Sequence, residues 1–357
     1  MKILYILPSL KLGGAEKLVV EMLPLFPKQK VQVDILLFDG SETPLKKQLR
    51  GENIKIFQLS NGGNVYNFLN IIRMLPYFKH YDIIHAHLTA PQLFTAICSL
   101  FSSVNIVTTE HSTNNRRRKL IFYRFIDIWM YKRFSKIICI SERSKYSLSH
   151  YLHFDNFDKN IIVINNGISI TKFAFPIKTK LGKYIVVTMV ARFSDAKDQD
   201  TLIRAISLLP PNYILHLVGD GIRKKILLDL VANLHIKERV YFLGNRQDVP
   251  QLTADSDIIV LSSHWEGLSL ASLEGLASGR PFIASDVDGL HDIVSGAGIL
   301  FPEGDEKALS SSIKNLSENQ QLYCQIAQQC IDRASHFDIH KTVEEYSKMY
   351  KEILLNK

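Results

Sequence analysis

From Asp257 to Val294 the chain reads DIIVLSSHWEGLSLASLEGLASGRPFIASDVDGLHDIV, and this stretch narrows the possible folds more than any other. Residues 258–261 form a short apolar run bounded by Asp and Ser, the pattern of a buried strand. A polar loop, 262–267, follows. The apolar-rich segment 270–277 predicts a helix that stops at Ser278-Gly279-Arg280-Pro281, with Gly just past its end and Pro behind. Residues 282–284 open the next strand, and Asp288-Gly289 makes a turn. Strand, loop, helix and strand make a βαβ unit, and open α/β sheets collect ligands at the carboxyl ends of their strands.

Two acids mark that end. Glu266 lies in the loop and Glu274 in the helix, eight positions apart, so both can face one cleft from different heights. Between them lie Gly267 and the helix start at Leu268, Ser269 and Leu270, whose free N–H groups and positive dipole end suit an anion. An anion site flanked by carboxylates fits a nucleotide diphosphate whose sugar hydroxyls bond to a Glu. On the pair alone the plainer reading prevails: a solvated loop acid and a surface position on an amphipathic helix.

The whole array changes that balance. Glu-x7-Glu after a buried strand, then SGRPFIAS and DGLHDIV, resembles the retaining glycosyltransferases of family four, of GT-B fold. The resemblance implies that Glu266 lies near the donor sugar and that Glu274 binds the ribose hydroxyls. Asp288-Gly289 stands where the family has Gly-Gly, and Asp292 where it has Glu.

A chain of 357 residues, 46% of them hydrophobic, is long enough for two domains with sizeable cores. No apolar run reaches the 18 to 20 or so residues that span a bilayer. MKILYILPSL lacks a small-residue cleavage site and runs at once toward Gly13-Gly14, so it reads as a first strand and not a signal peptide. Cys98, Cys139, Cys324 and Cys330 share no CxxC spacing and look like small buried hydrophobes. His85 and His87 flank Ala86, but no third ligand completes a metal site, so neither metal nor cofactor is expected.

The charge is uneven. Residues 1–170 carry 22 Lys and Arg against 12 Asp and Glu, a net +10, and the remainder carries 21 against 23, a net −2. The basic half implies an anionic partner: a membrane surface, a phosphorylated lipid or nucleic acid.

Along the chain, the strand at 3–7 leads through Gly13 and Gly14 into a segment with helical periodicity, a candidate phosphate site that lacks the G-x-G-x-x-G fingerprint. The resemblance places this loop against the donor phosphate and the acceptor. Further strands are expected at 31–38, 54–59, 81–87 and 106–109, with a helix over 65–78. His111 follows Glu110 at a strand's carboxyl end, where the family carries a His close to donor sugar and acceptor. Between 116 and 136 basic residues cluster at the start and recur among Phe122, Tyr123, Phe125, Trp129 and Tyr131. The reading is a helix whose aromatic side is packed, with Arg116, Arg117, Arg118 and Lys119 exposed toward a membrane and the acceptor. The segment Asn165-Asn166-Gly167-Ile168 resembles the family's interdomain element.

In the second half, Arg192 and Lys197 share one βα loop at the sheet end that carries Glu266, which suits two cations clamping a diphosphate. They match the family's G-R-x-x-x-x-K-G element, with Ala191 and Asp198 replacing its glycines. Asn245 and Arg246 fall where the family contacts the base.

The expected architecture is α/β, a GT-B fold of two Rossmann-like domains facing across a cleft. These are an acceptor domain at 1–170, a nucleotide-sugar domain at 171–337, and a C-terminal helix at 338–357 crossing back to the first. The resemblance implies a metal-independent enzyme that moves a sugar, with retention, from a nucleotide sugar to a hydroxyl of a saccharide acceptor. UDP is the expected donor nucleotide, with GDP open. His111 and Glu266 are the candidate catalytic residues. A lipid-linked, polyprenyl-diphosphate acceptor, an anionic membrane surface and no nucleic acid are the expected partners. The place is the cytoplasm, at the inner face of the cell membrane, in bacterial polysaccharide or glycan assembly. Two alternatives stay open: a nucleotide-sugar 2-epimerase of similar fold, and a non-catalytic protein docking on membrane or nucleic acid.

Overall fold

The computed structural model describes residues 1–11, 13–111, 121–153 and 160–355. The chain divides into two compact units, Met1–Gly167 with Ile339–Lys357, and Ile168–Asp338. The division falls after residue 167, slightly before the boundary at 170 drawn from sequence, because Ile168 already pairs with Asp338 and donates its N–H to Phe337 O at 2.9 Å.

Among the described residues the first unit carries a seven-stranded parallel sheet: β1 (Lys2–Leu7), β2 (Gln32–Asp39), β3 (Ile56–Ser60), β4 (Ile83–His87), β5 (Asn105–Glu110), β6 (Lys136–Cys139) and β7 (Ile161–Val163). Their order is β3-β2-β1-β4-β5-β6-β7. Near-continuous apolar sequence in β1 and β2 follows from this, since a parallel sheet is covered on both faces. Helices Leu69–Met74, Thr89–Cys98, Ile121–Tyr131 and Glu142–Leu152 form one neighbouring row. Helices Gly14–Met22, Pro44–Leu49 and Ile339–Leu355 form another. The two-residue strand period sorts the side chains. Leu4, Ile6, Ile84 and Ala86 enter the core with Phe94, Met130 and Tyr131. Tyr5, His85 and His87 alternate with them and turn to the other face.

Two local readings need correction. The periodicity over 65–78 predicts one helix, yet the helix spans Leu69–Met74 and tightens into a 3-10 turn at Leu75–Lys79. Asn64 Oδ1 accepts from Tyr66 N at 2.9 Å and Asn67 Oδ1 from Leu69 N at 3.0 Å, so side chains hold the first residues in turns. Pro76 then removes a helical N–H donor. Second, the aromatic side of Ile121–Tyr131 is not packed. Met130 and Tyr131 are buried, but Phe122, Tyr123, Phe125 and Trp129 are exposed. A helix apolar around most of its girth can offer only one stripe to the core, and here the aromatic stripe is left outside. Arg116, Arg117, Arg118 and Lys119 lie outside the described residues.

Among its described residues the second unit has a six-stranded parallel sheet: β8 (Ile185–Val190), β9 (Tyr213–Val218), β10 (Val240–Gly244), β11 (Ile258–Leu261), β12 (Phe282–Ser285) and β13 (Ile299–Phe301). The order is β10-β9-β8-β11-β12-β13. The segment 257–294 is the expected βαβ unit, with helix Leu270–Ala277 between β11 and β12. The Arg280 of its stop signal is buried, and its guanidinium donates to Ala254 O, Ser256 O and Pro176 O. All four cysteines are free thiols; Cys98, Cys139 and Cys330 are buried and Cys324 half-buried.

The C-terminal helix enters the first unit beside Gly167. A Cβ there would lie 2.7 Å from Ile339 N and 2.6 Å from Thr342 Oγ1, and Thr342 Oγ1 donates to Asn165 O at 3.0 Å. Gly167→Ala is therefore expected to destabilise the protein by about 1–3 kcal/mol through overpacking. Thermal unfolding measures this; an unchanged midpoint would show that the helix start yields without cost.

Candidate active site

Each sheet reverses its winding once, and ligands in open α/β sheets gather outside the strand ends at such a reversal. In the second unit the reversal lies between β8 and β11. The loops leaving these two strands are stitched together. His264 N donates to Ala196 O at 3.0 Å, and Ser262 Oγ donates to Asp198 O at 2.7 Å. Lys197 and Glu266 meet at this seam. The Lys197 ammonium pairs with Glu266 Oε1, which also accepts from Ser263 Oγ at 2.9 Å. Glu266 is 9% exposed and Lys197 20%, so this is a half-sheltered pair and not a surface one.

The turn at Asp288-Gly289 backs this loop. Gly289 has φ +85°, and a Cβ there would lie 2.4 Å from Glu266 O and 2.9 Å from Gly267 O. Only a glycine lets the turn approach the acid's backbone so closely. Asp198, where the family has Gly, also adopts a left-handed backbone, φ 45° and ψ 53°. Its carboxylate then caps the next helix, accepting from Thr201 N at 3.2 Å and Thr201 Oγ1 at 2.6 Å, which offsets the unfavourable conformation.

The other candidates in this unit are not all gathered at the pair. Helix Leu270–Ala277 starts after Gly267, Leu268 and Ser269, and Ser269 makes no side-chain cap, so its positive end is not satisfied by a cap side chain. Glu274 is buried, not the surface acid of the plainer reading, and lines a small cavity with Val190, Val249, Thr253 and Ala271. Arg192 is exposed in the Lys197 loop. Asn245 is exposed after β10. Arg246 is held at the surface by Asp248, with bonds of 2.8 and 2.6 Å.

In the first unit the reversal lies between β1 and β4. Gly13 and Gly14 follow β1 and open helix Gly14–Met22; nothing lies within 4 Å of where a Cβ on Gly14 would sit, so the backbone there is open to a ligand. His85 and His87 end β4, and His111 follows β5. His85 is fully engaged: Nδ1 meets Tyr350 Oη at 2.5 Å and Nε2 meets Thr109 Oγ1 at 2.8 Å. Tyr350 Oη also lies 2.7 Å from Tyr5 Oη, and Thr109 Oγ1 lies 3.0 Å from Tyr346 Oη. His87 stacks between Tyr5 and His85.

His87 Nδ1 and His111 Nε2 lie 2.9 Å apart, and His87 Nε2 is buried without a partner. Burial holds His87 well below the ordinary imidazole range, with His85 and His111 adding to the effect. Burial likewise lowers His111 to about 4, against the raising influence of Glu110. Both rings are thus neutral at pH 7. Were the shared proton on His111, His87 would carry its own on Nε2, a buried orphan donor, which costs more than the bare acceptor that the other tautomer leaves there. The shared proton therefore sits on His87 Nδ1 and is donated to His111 Nε2. His111 is left with its N–H on Nδ1, a donor to whatever binds there.

Ser263 and the two C-terminal tyrosines escaped the sequence reading, which took Gly289 only as part of a turn and His87 only as a histidine without a metal site. A His-x-His at strand period was the visible signal for His87; nothing local marks Tyr346 or Tyr350, which arrive from the far end of the chain.

Comparison with known proteins supplies the family. Residues 171–336 match the Glycosyl transferases group 1 family and residues 12–172 match Glycosyltransferase Family 4. The chain belongs to the glycosyltransferases built from these two domains. It is 27% identical to the Escherichia coli UDP-Gal:alpha-D-GlcNAc-diphosphoundecaprenol alpha-1,3-galactosyltransferase, over 97% of this chain and 95% of that one. It is 26% identical to the Bacillus anthracis N-acetyl-alpha-D-glucosaminyl L-malate synthase, over 77% and 76%. In fold it is similar to Anabaena HepE, crystallised with UDP-glucose, at a TM-score of 0.86 and 24% identity over 99% of this chain and 100% of that one. The fold is GT-B.

The histidine cluster sets an acid limit on stability. His85, His87 and His111 have lowered values in the folded state, whereas unfolded imidazoles protonate near about 6.5. The unfolded chain thus binds more protons between pH 6.5 and 4, so stability is full above that window and is lost as pH falls through it. The unfolding midpoint should drop over this range, and His87→Phe, which keeps the stacking, should make the drop shallower. An identical slope in the variant would remove His87 from the cause.

Proposed function

We propose that this glycosyltransferase moves a sugar from UDP, with retention of configuration, to a hydroxyl of a saccharide carried on a polyprenyl diphosphate. The observation that carries the reading is the Lys197–Glu266 pair at the β8/β11 reversal, beside the uncapped start of helix Leu270–Ala277. A cation held on a half-sheltered carboxylate at this sheet end is placed to meet an arriving diphosphate. The E. coli relative, whose name specifies a UDP-galactose donor and a diphosphoundecaprenol-linked acceptor, supports the donor and acceptor classes. HepE was crystallised with UDP-glucose, which supports the same nucleotide.

The chemical difficulty is the negative charge that grows on the departing diphosphate. Lys197, Arg192 and the first N–H groups of the helix offset it without a metal ion. Glu274 accepts from the ribose hydroxyls, and Glu266 accepts from the donor sugar while holding Lys197. His111 donates from Nδ1 to a sugar hydroxyl, and the open backbone at Gly13 and Gly14 admits phosphate or acceptor. In the transfer the bond from the anomeric carbon to the phosphate oxygen breaks, and a bond to the acceptor oxygen forms on the same face. The acceptor proton passes to the departing phosphate. The enzyme works at the inner face of the cell membrane, in bacterial polysaccharide assembly.

Two measurements test this. Calorimetric titration of UDP in EDTA should show binding, weakened about tenfold or more in Glu274→Ala, the worth of hydrogen bonds to a charged acceptor. Lys197→Ala should lower kcat by about 10²–10³, as for loss of a group that meets developing charge. Binding that vanishes in EDTA would replace the metal-free reading. Sugar isomerisation without an acceptor would make the protein an epimerase.

A further inference from the structure

The loop that carries Lys197 has more negative than positive charge of its own. From Ala191 to Asp200 it reads ARFSDAKDQD, two cations against three acids, a net −1. Asp198 is accounted for as the cap of helix Gln199–Ser207. The other two acids bracket Lys197. Asp195 opens the 3-10 turn Asp195–Lys197, and Asp200 lies in the first turn of the helix that follows. Carboxylates two residues before and three residues after a cation compete for it with any arriving anion, unless another group takes them up. Among the described residues the Lys197 ammonium pairs with Glu266 and with neither of these acids.

Arg223 takes up both. It follows the turn Gly219-Asp220-Gly221 after β9 and immediately precedes helix Lys224–Asn233. Its Nη1 donates to Asp195 Oδ1, and its Nη2 donates to Asp200 Oδ1 at 2.9 Å and Oδ2 at 2.7 Å. One guanidinium thus spans the turn that presents Lys197. The backbone aims it there. Phe193 N donates to Asp220 O at 3.0 Å and Arg223 N to Phe193 O at 3.4 Å, which presses the loop after β9 onto the loop after β8. Gly219 has φ +137°, and a Cβ there would lie 2.1 Å from Ala191 O. An exposed ion pair contributes little, but Arg223 is only 20% exposed and Asp200 25%. The Arg223 Nε is buried without a hydrogen-bond partner, a cost that the two carboxylates must offset.

We infer that Arg223 is a positioning residue for the transfer: by neutralising Asp195 and Asp200 it leaves the charge of Lys197 to the donor diphosphate. The inference rests on the reading of Lys197 as a diphosphate-binding cation and extends it to a residue that acts through Lys197. The side-chain type fits the task. A planar guanidinium meets Asp200 with two oxygens while its other arm reaches Asp195, whereas an ammonium is a point charge without that fork. A strut that merely ties two loops together would do so independently of salt. A counter-charge acts on the anion through space, and its effect is screened.

The test is calorimetric titration of UDP into the full chain at low and at raised ionic strength. Arg223→Gln should weaken UDP binding about tenfold at low salt, and the gap to the wild type should narrow as salt is added. The triple variant Arg223→Gln/Asp195→Asn/Asp200→Asn, which removes the two acids with their partner, should regain the wild-type affinity at low salt. Arg223→Lys keeps the charge without the fork; its loss should be smaller and equally sensitive to salt, and it gives the same comparison where the Gln variant does not fold. Unchanged binding in Arg223→Gln overturns the inference. A gap that salt does not narrow makes Arg223 a strut and also overturns it. So does a triple variant that stays weak, since Arg223 would then meet the diphosphate itself. If UDP fails to bind the wild type, the donor-site reading falls and takes the inference with it, whereas UDP binding that is indifferent to Arg223 leaves that reading standing.

Discussion

A carboxylate that is nine-tenths buried must be compensated, and at Glu266 the compensation comes from the loop of another strand. Lys197 reaches it from the loop after β8, and Ser263 donates to the same oxygen. The pair exists because β8 and β11 are neighbours in the sheet although two strands, β9 and β10, separate them in sequence. Every feature near it serves that meeting. Asp198 takes a left-handed turn and caps the next helix, so that the Lys197 loop can close within a few residues. Gly289 lets a later turn press on the backbone of Glu266. Removing either partner would leave a half-buried charge alone, which costs far more than the pair contributes.

The first unit solves a different problem with the same topology. Its reversal point is built of neutral, buried polar groups, and these need partners that the sheet cannot provide. The C-terminal helix brings them: Tyr350 to His85, and Tyr346 to Thr109. With His85 saturated at both nitrogens, the one ring nitrogen in this cluster left buried and unpartnered is His87 Nε2. That single orphan fixes the proton between His87 and His111. A helix from the end of the chain thus saturates His85, against which His87, the partner of His111, is stacked.

Much of this was legible in sequence where the signal is local. The βαβ unit, the helix stop at Gly279, the acids Glu266 and Glu274 and the parallel α/β class all follow from short-range pattern, and the fold class is the one observed. What sequence withheld depends on partners distant along the chain. That Glu274 is buried cannot be read from helical spacing alone, and Ser263 is one serine among many until Glu266 is seen to accept from it. The helix over 65–78 failed because Asn64 and Asn67 bond to their own backbone, a local competition that apolar periodicity does not register. The aromatic helix failed for the opposite reason. Its pattern was read correctly as apolar, but apolar residues go to the core only as far as the core has room.

That last failure bears on what the first unit leaves outside. Of the acids of residues 61–136, Glu110 and Asp127 are buried on tyrosine hydroxyls, whereas Asp82 stays exposed, its carboxylate accepting from Lys2 N. The same span leaves Phe68, Phe101, Phe122 and Phe125 largely in water, while Phe78, Phe94 and Phe134 fill the core. Exposed aromatics cost solubility, so these helices carry an apolar face that their own core does not use.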